Sequence, residues 1–144
     1  MSDAPDPTVT GLVGYCTDAN PGVDQWKRTK KHLILPHERL QPVPHLGAVV
    51  VLAHPEFLPI EYADMIVRQI PFALHRFPGA NKFLLVHHVC GYYAQIPRLG
   101  TIDLDFMEED VRRAAENVRK NFDLVVTGFF DNKDKGNDGF RQIV

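Results

Sequence analysis

Short apolar runs of strand character alternate along this chain with longer segments of helical period. That alternation points to an α/β fold: a single domain with a mainly parallel central sheet flanked by helices. The first run leads through Val9 to Tyr15, with a strand expected from about Thr10. Gly47-Ala48-Val49-Val50-Val51-Leu52-Ala53 is continuous and apolar with a β-branched centre, the pattern of a strand buried on both faces. Lys82 to Val86 and Leu124 to Phe130 read as two further strands. Between them, Ile60 to Phe77 sets Ala63, Val67, Ile70 and Leu74 on one helical stripe, which Pro71 should kink or split. Leu104 to Phe122 carries Met107, Val111, Ala114 or Ala115, Val118 and Phe122 at helical spacing, with Asp103 as N-cap. Its acidic residues crowd the first half and its basic ones the second, which suits the helix dipole.

The remaining segments are less regular. A short helix is expected near Val23 to His32, followed by an irregular stretch holding Pro36, Pro42 and Pro44. Asp131 to Gly139 reads as a polar turn, and Phe140 to Val144 as a returning edge strand. Residues 1–9 are expected to be a disordered lead-in and residues 10–144 a single zinc-binding α/β domain. A chain of 144 residues can bury a sizeable single core. Its net charge of -2 gives no general attraction to nucleic acid or to anionic membranes, so neither is an expected partner. The longest apolar stretch, Leu46 to Ala53, is too short to span a bilayer. Met1 to Pro7 is acidic and lacks the basic and apolar regions of a signal peptide, so a cytoplasmic location is expected.

Both cysteines follow strand-like runs. Cys16-Thr17-Asp18 ends the first, and His87-His88-Val89-Cys90-Gly91 ends the run from Lys82. Ligands of parallel sheets gather beyond the carboxyl ends of strands, where both clusters lie. Cys16, His87 and Cys90 can supply two thiolates and one imidazole, one short of a closed tetrahedron. Catalytic zinc sites keep that fourth position for water, whereas structural sites close it with protein. Gly91 permits the tight turn that would let His87 and Cys90 converge. Asp18 is the candidate to orient a zinc-bound hydroxide. Buried thiols beside a core histidine, or a Cys16–Cys90 disulfide, remain open on the residues alone. His88 reads as a surface group or a support to the site, and His54 as a loop or capping residue. Tyr92 and Tyr93 read as core or interface, and Lys27-Arg28-Thr29-Lys30-Lys31 as a solvated face.

These residues resemble the β-class carbonic anhydrases. That family carries Cys-x-Asp-Ser-Arg after its first strand and His-x-x-Cys-Gly after its third. The counterparts are Cys16-Thr17-Asp18-Ala19-Asn20 and His87-His88-Val89-Cys90-Gly91. The helix of Ile60 to Phe77, the later helix with Glu109, Val111 and Asn117, and the ending Val125 to Asp131 with Gly136 beyond are similarly placed. The resemblance implies a lyase that hydrates CO2 to bicarbonate, with Zn2+ held by Cys16, His87 and Cys90. It also implies that Asp18 fixes the attacking hydroxide, and that the chain forms a homodimer or higher homo-oligomer.

Three departures qualify that likeness. The arginine of the first motif is Asn20 here. Leu52-Ala53-His54-Pro55-Glu56 stands where the family has Arg-Asn-Ala-Gly. The stretch between the first two strands is longer, and its Arg28 or Lys27 is a candidate for the lost charge. The alternatives are a zinc-binding relative with little or no hydratase activity, or a hydrolase of a CO2 analogue such as COS or CS2.

Overall fold

A computed structural model describes residues 4–16, 25–33, 38–45, 47–96, 99–132, 135 and 139–144, with Gln25 and Trp26 by backbone alone. Five strands form one sheet: β1 (Gly11–Cys16), β2 (Leu40–His45), β3 (Lys82–His88), β4 (Val125–Asp131) and β5 (Phe140–Gln142). Their spatial order is β2-β1-β3-β4-β5. The first four run parallel and β5 returns antiparallel to β4. The expected α/β domain with a mainly parallel sheet is therefore present.

The helices are α1 (Gln25–Leu33), α2 (Ala48–Ala53), α3 (Pro59–Ala63), α4 (Ile70–Arg76) and α5 (Leu104–Asn121). A π-helical turn, Asp64–Gln69, joins α3 to α4, and a 3-10 turn, Gly91–Gln95, follows β3. None of the helices is long and apolar enough to cross a membrane, among the described residues. The core lies between the sheet and the α2 and α5 layer. Leu12, Phe83, Leu85, Val126 and Phe130 from the strands meet Met107, Val111, Ala114, Ala115 and Val118 from α5. Asp103 caps α5 as expected, its Oδ1 accepting the Phe106 N–H at 2.9 Å. At Gly128 the α5 layer approaches so closely that a Cβ would stand 2.3 Å from Val111 Cγ1.

Two elements differ from expectation. The run Gly47 to Ala53 is not a strand: residues 48–53 form α2, and every one of them is buried. A short run that is apolar on all sides fits a fully buried helix as well as a buried strand, and period cannot separate them. Gly47 decides the matter locally. Its φ of 72° is a left-handed conformation, and its carbonyl accepts the Val51 N–H at 2.8 Å to start the helix. The second strand is instead β2, inside the stretch expected to be irregular. Pro42 and Pro44 conceal it, yet both are tolerated because β2 is an edge strand. Spaced by two, both withhold their N–H from the same edge of β2, and the ladder to β1 occupies the other. The segment after the second strand is thus the one leading from His45 to Gly47. Leu52 to Glu56 instead closes α2 and begins the next loop.

The expected helix of Ile60 to Phe77 exists in three pieces. Pro71 has no N–H to offer the Val67 carbonyl, and the π-helical turn widens the ladder just before it. The added residue rotates the buried face. Met65, Ile70 and Ala73 are buried, whereas Val67, expected on the stripe, is 69% exposed. Residues 4–9 lie along the domain, with Val9 buried and the Asp6 N–H donating to the Arg76 carbonyl at 2.8 Å.

Candidate metal centre

Cys16 is the last residue of β1, and His87 and His88 end β3 beside it. Cys90 follows two residues later, just before the 3-10 turn. The fold therefore carries both cysteines to one end of the sheet. Their Sγ atoms stand 3.4 Å apart, and both residues are buried. That separation is well beyond a disulfide bond of about 2.05 Å, so the pair consists of two thiols. Two thiolates on one tetrahedral zinc, each at about 2.3 Å, would stand roughly 3.8 Å apart. Backbone N–H groups point at both sulfurs: Gly47 donates to Cys16 Sγ at 3.0 Å and Tyr92 to Cys90 Sγ at 3.4 Å. Donors aimed at sulfur favour the thiolate, which is the ligating form. A side chain at Gly47 would drive a Cβ to 2.3 Å from the Tyr92 ring, so the donor position tolerates glycine alone.

His87 points its Nε2 at the Tyr93 hydroxyl, 2.9 Å away. Its Nδ1 is buried and has no hydrogen-bond partner among the described residues. Burial, reinforced by His88, pushes the His87 imidazole down to about 3, so it is neutral at any ordinary pH. A neutral imidazole with one nitrogen held and the other open has the chemistry of a metal ligand.

Behind it lies a network that the sequence did not announce. The Tyr93 hydroxyl donates to Asp110 Oδ2 at 2.7 Å, and His54 Nε2 donates to the same oxygen at 2.8 Å. Arg113 donates to Asp110 Oδ1 at 2.6 Å. Burial alone would raise the Asp110 carboxyl, but hydrogen bonds from His54, Tyr93 and Arg113 outweigh it and hold it below its ordinary range. Burial and the Asp110 charge push the Tyr93 phenol well up, so it stays protonated. Phe106 walls this cluster, stacked against His54 and edge-on to Tyr93.

The predicted residues are thus only partly assembled. Cys16 and Cys90 come together, and His87 ends the neighbouring strand. Among the described residues, no three His, Cys, Asp or Glu side chains stand close enough to hold a metal ion together. Asp18 and Asn20 lie outside the described residues. The donor types fit zinc: a thiol pair at near-coordinating spacing and an imidazole nitrogen without a hydrogen-bond partner.

Other readings change. His88 is 1% exposed rather than at the surface, because β3 continues through it and turns it to the opposite face from His87. Arg28 is not part of a solvated face: its Nε and Nη2 grip both oxygens of the fully buried Asp131 at 2.7 and 2.6 Å. His54 caps α2 as expected, but it is also buried against Asp110. Asp110 carried one overlooked signal: a carboxylate set among Met107, Val111 and Ala114 on the apolar stripe of α5. Compared with known proteins, the chain matches no family model, no curated protein and no solved structure.

Proposed function

We propose that this chain is a zinc-dependent hydratase of the β-carbonic-anhydrase kind, converting CO2 and water to bicarbonate and a proton. One observation carries the reading. The ends of parallel β1 and β3 hold the Cys16 and Cys90 thiols 3.4 Å apart, with a buried, neutral His87 at the same end. Cys16, Cys90 and His87 would hold the ion. Two thiolates offset its charge and neutral imidazole adds none, so the centre carries no net charge into the core. Zinc, when bound, supplies the Lewis acidity that makes water nucleophilic at a pH of about 7.

The chain's own groups do the rest. Gly47 and Tyr92 N–H groups donate to the two sulfurs and limit their movement. By its motif position Asp18 would accept a hydrogen bond from the attacking water and orient it toward CO2. The proton released leaves through Asp18 or buffer. Asn20, in place of a guanidinium beside Asp18, favours a second reading in which the chain binds zinc and turns over slowly or not at all.

Metal analysis of carefully reduced protein should find about one zinc per chain. Stopped-flow CO2 hydration should then be accelerated across about pH 6.5 to 9, the range in which water on such a centre ionises. Bound zinc without acceleration selects the second reading. Far less than one zinc per chain overturns both.

A further inference from the structure

Counting protons along the buried network assigns the state of His87. Tyr93 has one hydroxyl proton and two close partners, His87 Nε2 at 2.9 Å and Asp110 Oδ2 at 2.7 Å. An ionised carboxylate only accepts. Asp110 is held in that form from the other side by two further donors, His54 Nε2–H at 2.8 Å and Arg113 at 2.6 Å. The Tyr93 proton therefore goes to Asp110, and the phenol oxygen meets His87 as an acceptor. His87 must then carry its own proton on Nε2, and its buried Nδ1 keeps a bare lone pair with no hydrogen-bond partner among the described residues.

We propose that Asp110 is the positioning residue of this centre: acting through Tyr93, it fixes His87 as the Nε2–H tautomer and leaves Nδ1 as the atom that binds zinc. This rests on the zinc reading above. Asp110 touches neither thiol nor substrate; it acts on the ligand through one intervening side chain. His54 and Arg113 complete its shell, so the carboxylate cannot turn away from Tyr93 without leaving a buried donor unpaired.

The experiment reads the tautomer directly. Long-range nitrogen–proton correlation spectra of isotope-labelled, reduced, metal-free protein should show His87 protonated at Nε2 and bare at Nδ1, with the signal assigned by its loss in His87→Gln. In zinc-loaded protein the Nε2 proton should remain. In Asp110→Asn the side-chain amide can donate to the phenol, the Tyr93 proton can turn to His87, and an Nδ1–H population should appear. Zinc affinity, measured by competition with a chromophoric chelator, should fall about 10- to 100-fold in Asp110→Asn and in Tyr93→Phe.

A wild-type His87 protonated at Nδ1 overturns the proposal even if zinc binds, and needs no variant to fold. An Asp110→Asn protein with unchanged tautomer and zinc affinity within about twofold of wild type also overturns it. Wild-type protein with the expected tautomer but no affinity for zinc refutes the zinc reading and, with it, the assigned use of Nδ1.

Discussion

Replacing Arg28 with methionine removes one half of a largely buried ion pair. Asp131 is fully buried at the end of β4, and the Arg28 side chain is only 20% exposed. Two charge-assisted hydrogen bonds, at 2.7 and 2.6 Å, join them. Each such bond contributes about 1.5–3 kcal/mol, which would sum to roughly 3–6 kcal/mol. Removing one partner of a buried pair costs about 3–5 kcal/mol, because the other charge stays buried after losing that guanidinium. The partial exposure of Arg28 lets some water reach the site, so the expected loss is near the lower bound, about 3 kcal/mol. For a domain of this size that lowers the melting temperature by roughly 10 °C.

Thermal and urea denaturation followed by circular dichroism would measure it, with Asp131→Asn and the double variant closing a cycle. The double variant should recover much of the loss, because the buried charge goes with its partner. An Arg28→Met protein within about 0.5 kcal/mol of wild type, or a coupling energy that small, would refute the reasoning. Arg28 would then be the solvated residue that its sequence neighbourhood suggests.

Three further outcomes are expected. Gly128→Ala should cost about 1–3 kcal/mol by overpacking against Val111, and Val111→Ala in the same chain should restore most of it; denaturation midpoints decide. The Asp110 carboxyl is lowered in the fold, so it contributes stability that is present above its unfolded value of 3.8 and lost as pH falls through the folded value. Acid titration of the metal-free protein should therefore show a shallower stability loss in that range for Asp110→Asn than for wild type, and equal slopes would contradict the assignment. Asn20→Arg, which supplies the guanidinium of the Cys-x-Asp-Ser-Arg motif that the segment resembles, should raise the CO2 hydration rate of the zinc-loaded protein; an unchanged rate rejects the missing charge as the limit.

How far the sequence carries depends on how each element announces itself. β1, β3, β4 and α5 are long enough for their periods to show, and they fall within a residue or two of expectation. α2 is hidden because six consecutive buried residues have no polar face from which to read a period. β2 is hidden because prolines, usually a sign against a strand, are harmless on an outer edge. The cysteines were legible because polar residues ending apolar runs must emerge at the same end of a parallel sheet. Tyr93, Asp110 and His54 were not. They lie 17 and 56 residues apart along the chain, and only the packing of α5 over the sheet makes them one network.

The prolines of β2 have a consequence for how this protein can meet copies of itself. A sheet grows by offering unpaired backbone groups to another strand, and Pro42 and Pro44 withdraw two donors from one margin. The opposite margin, β5, is only three residues long and carries an exposed Arg141. Both ends of the sheet are thus poor templates for strand addition, which protects the chain from cross-chain ladders while it folds. Any stable self-association must instead use side-chain surfaces. The exposed Ile60, Val67 and Phe72, on the segmented helix before β3, are among the apolar groups such a contact could use.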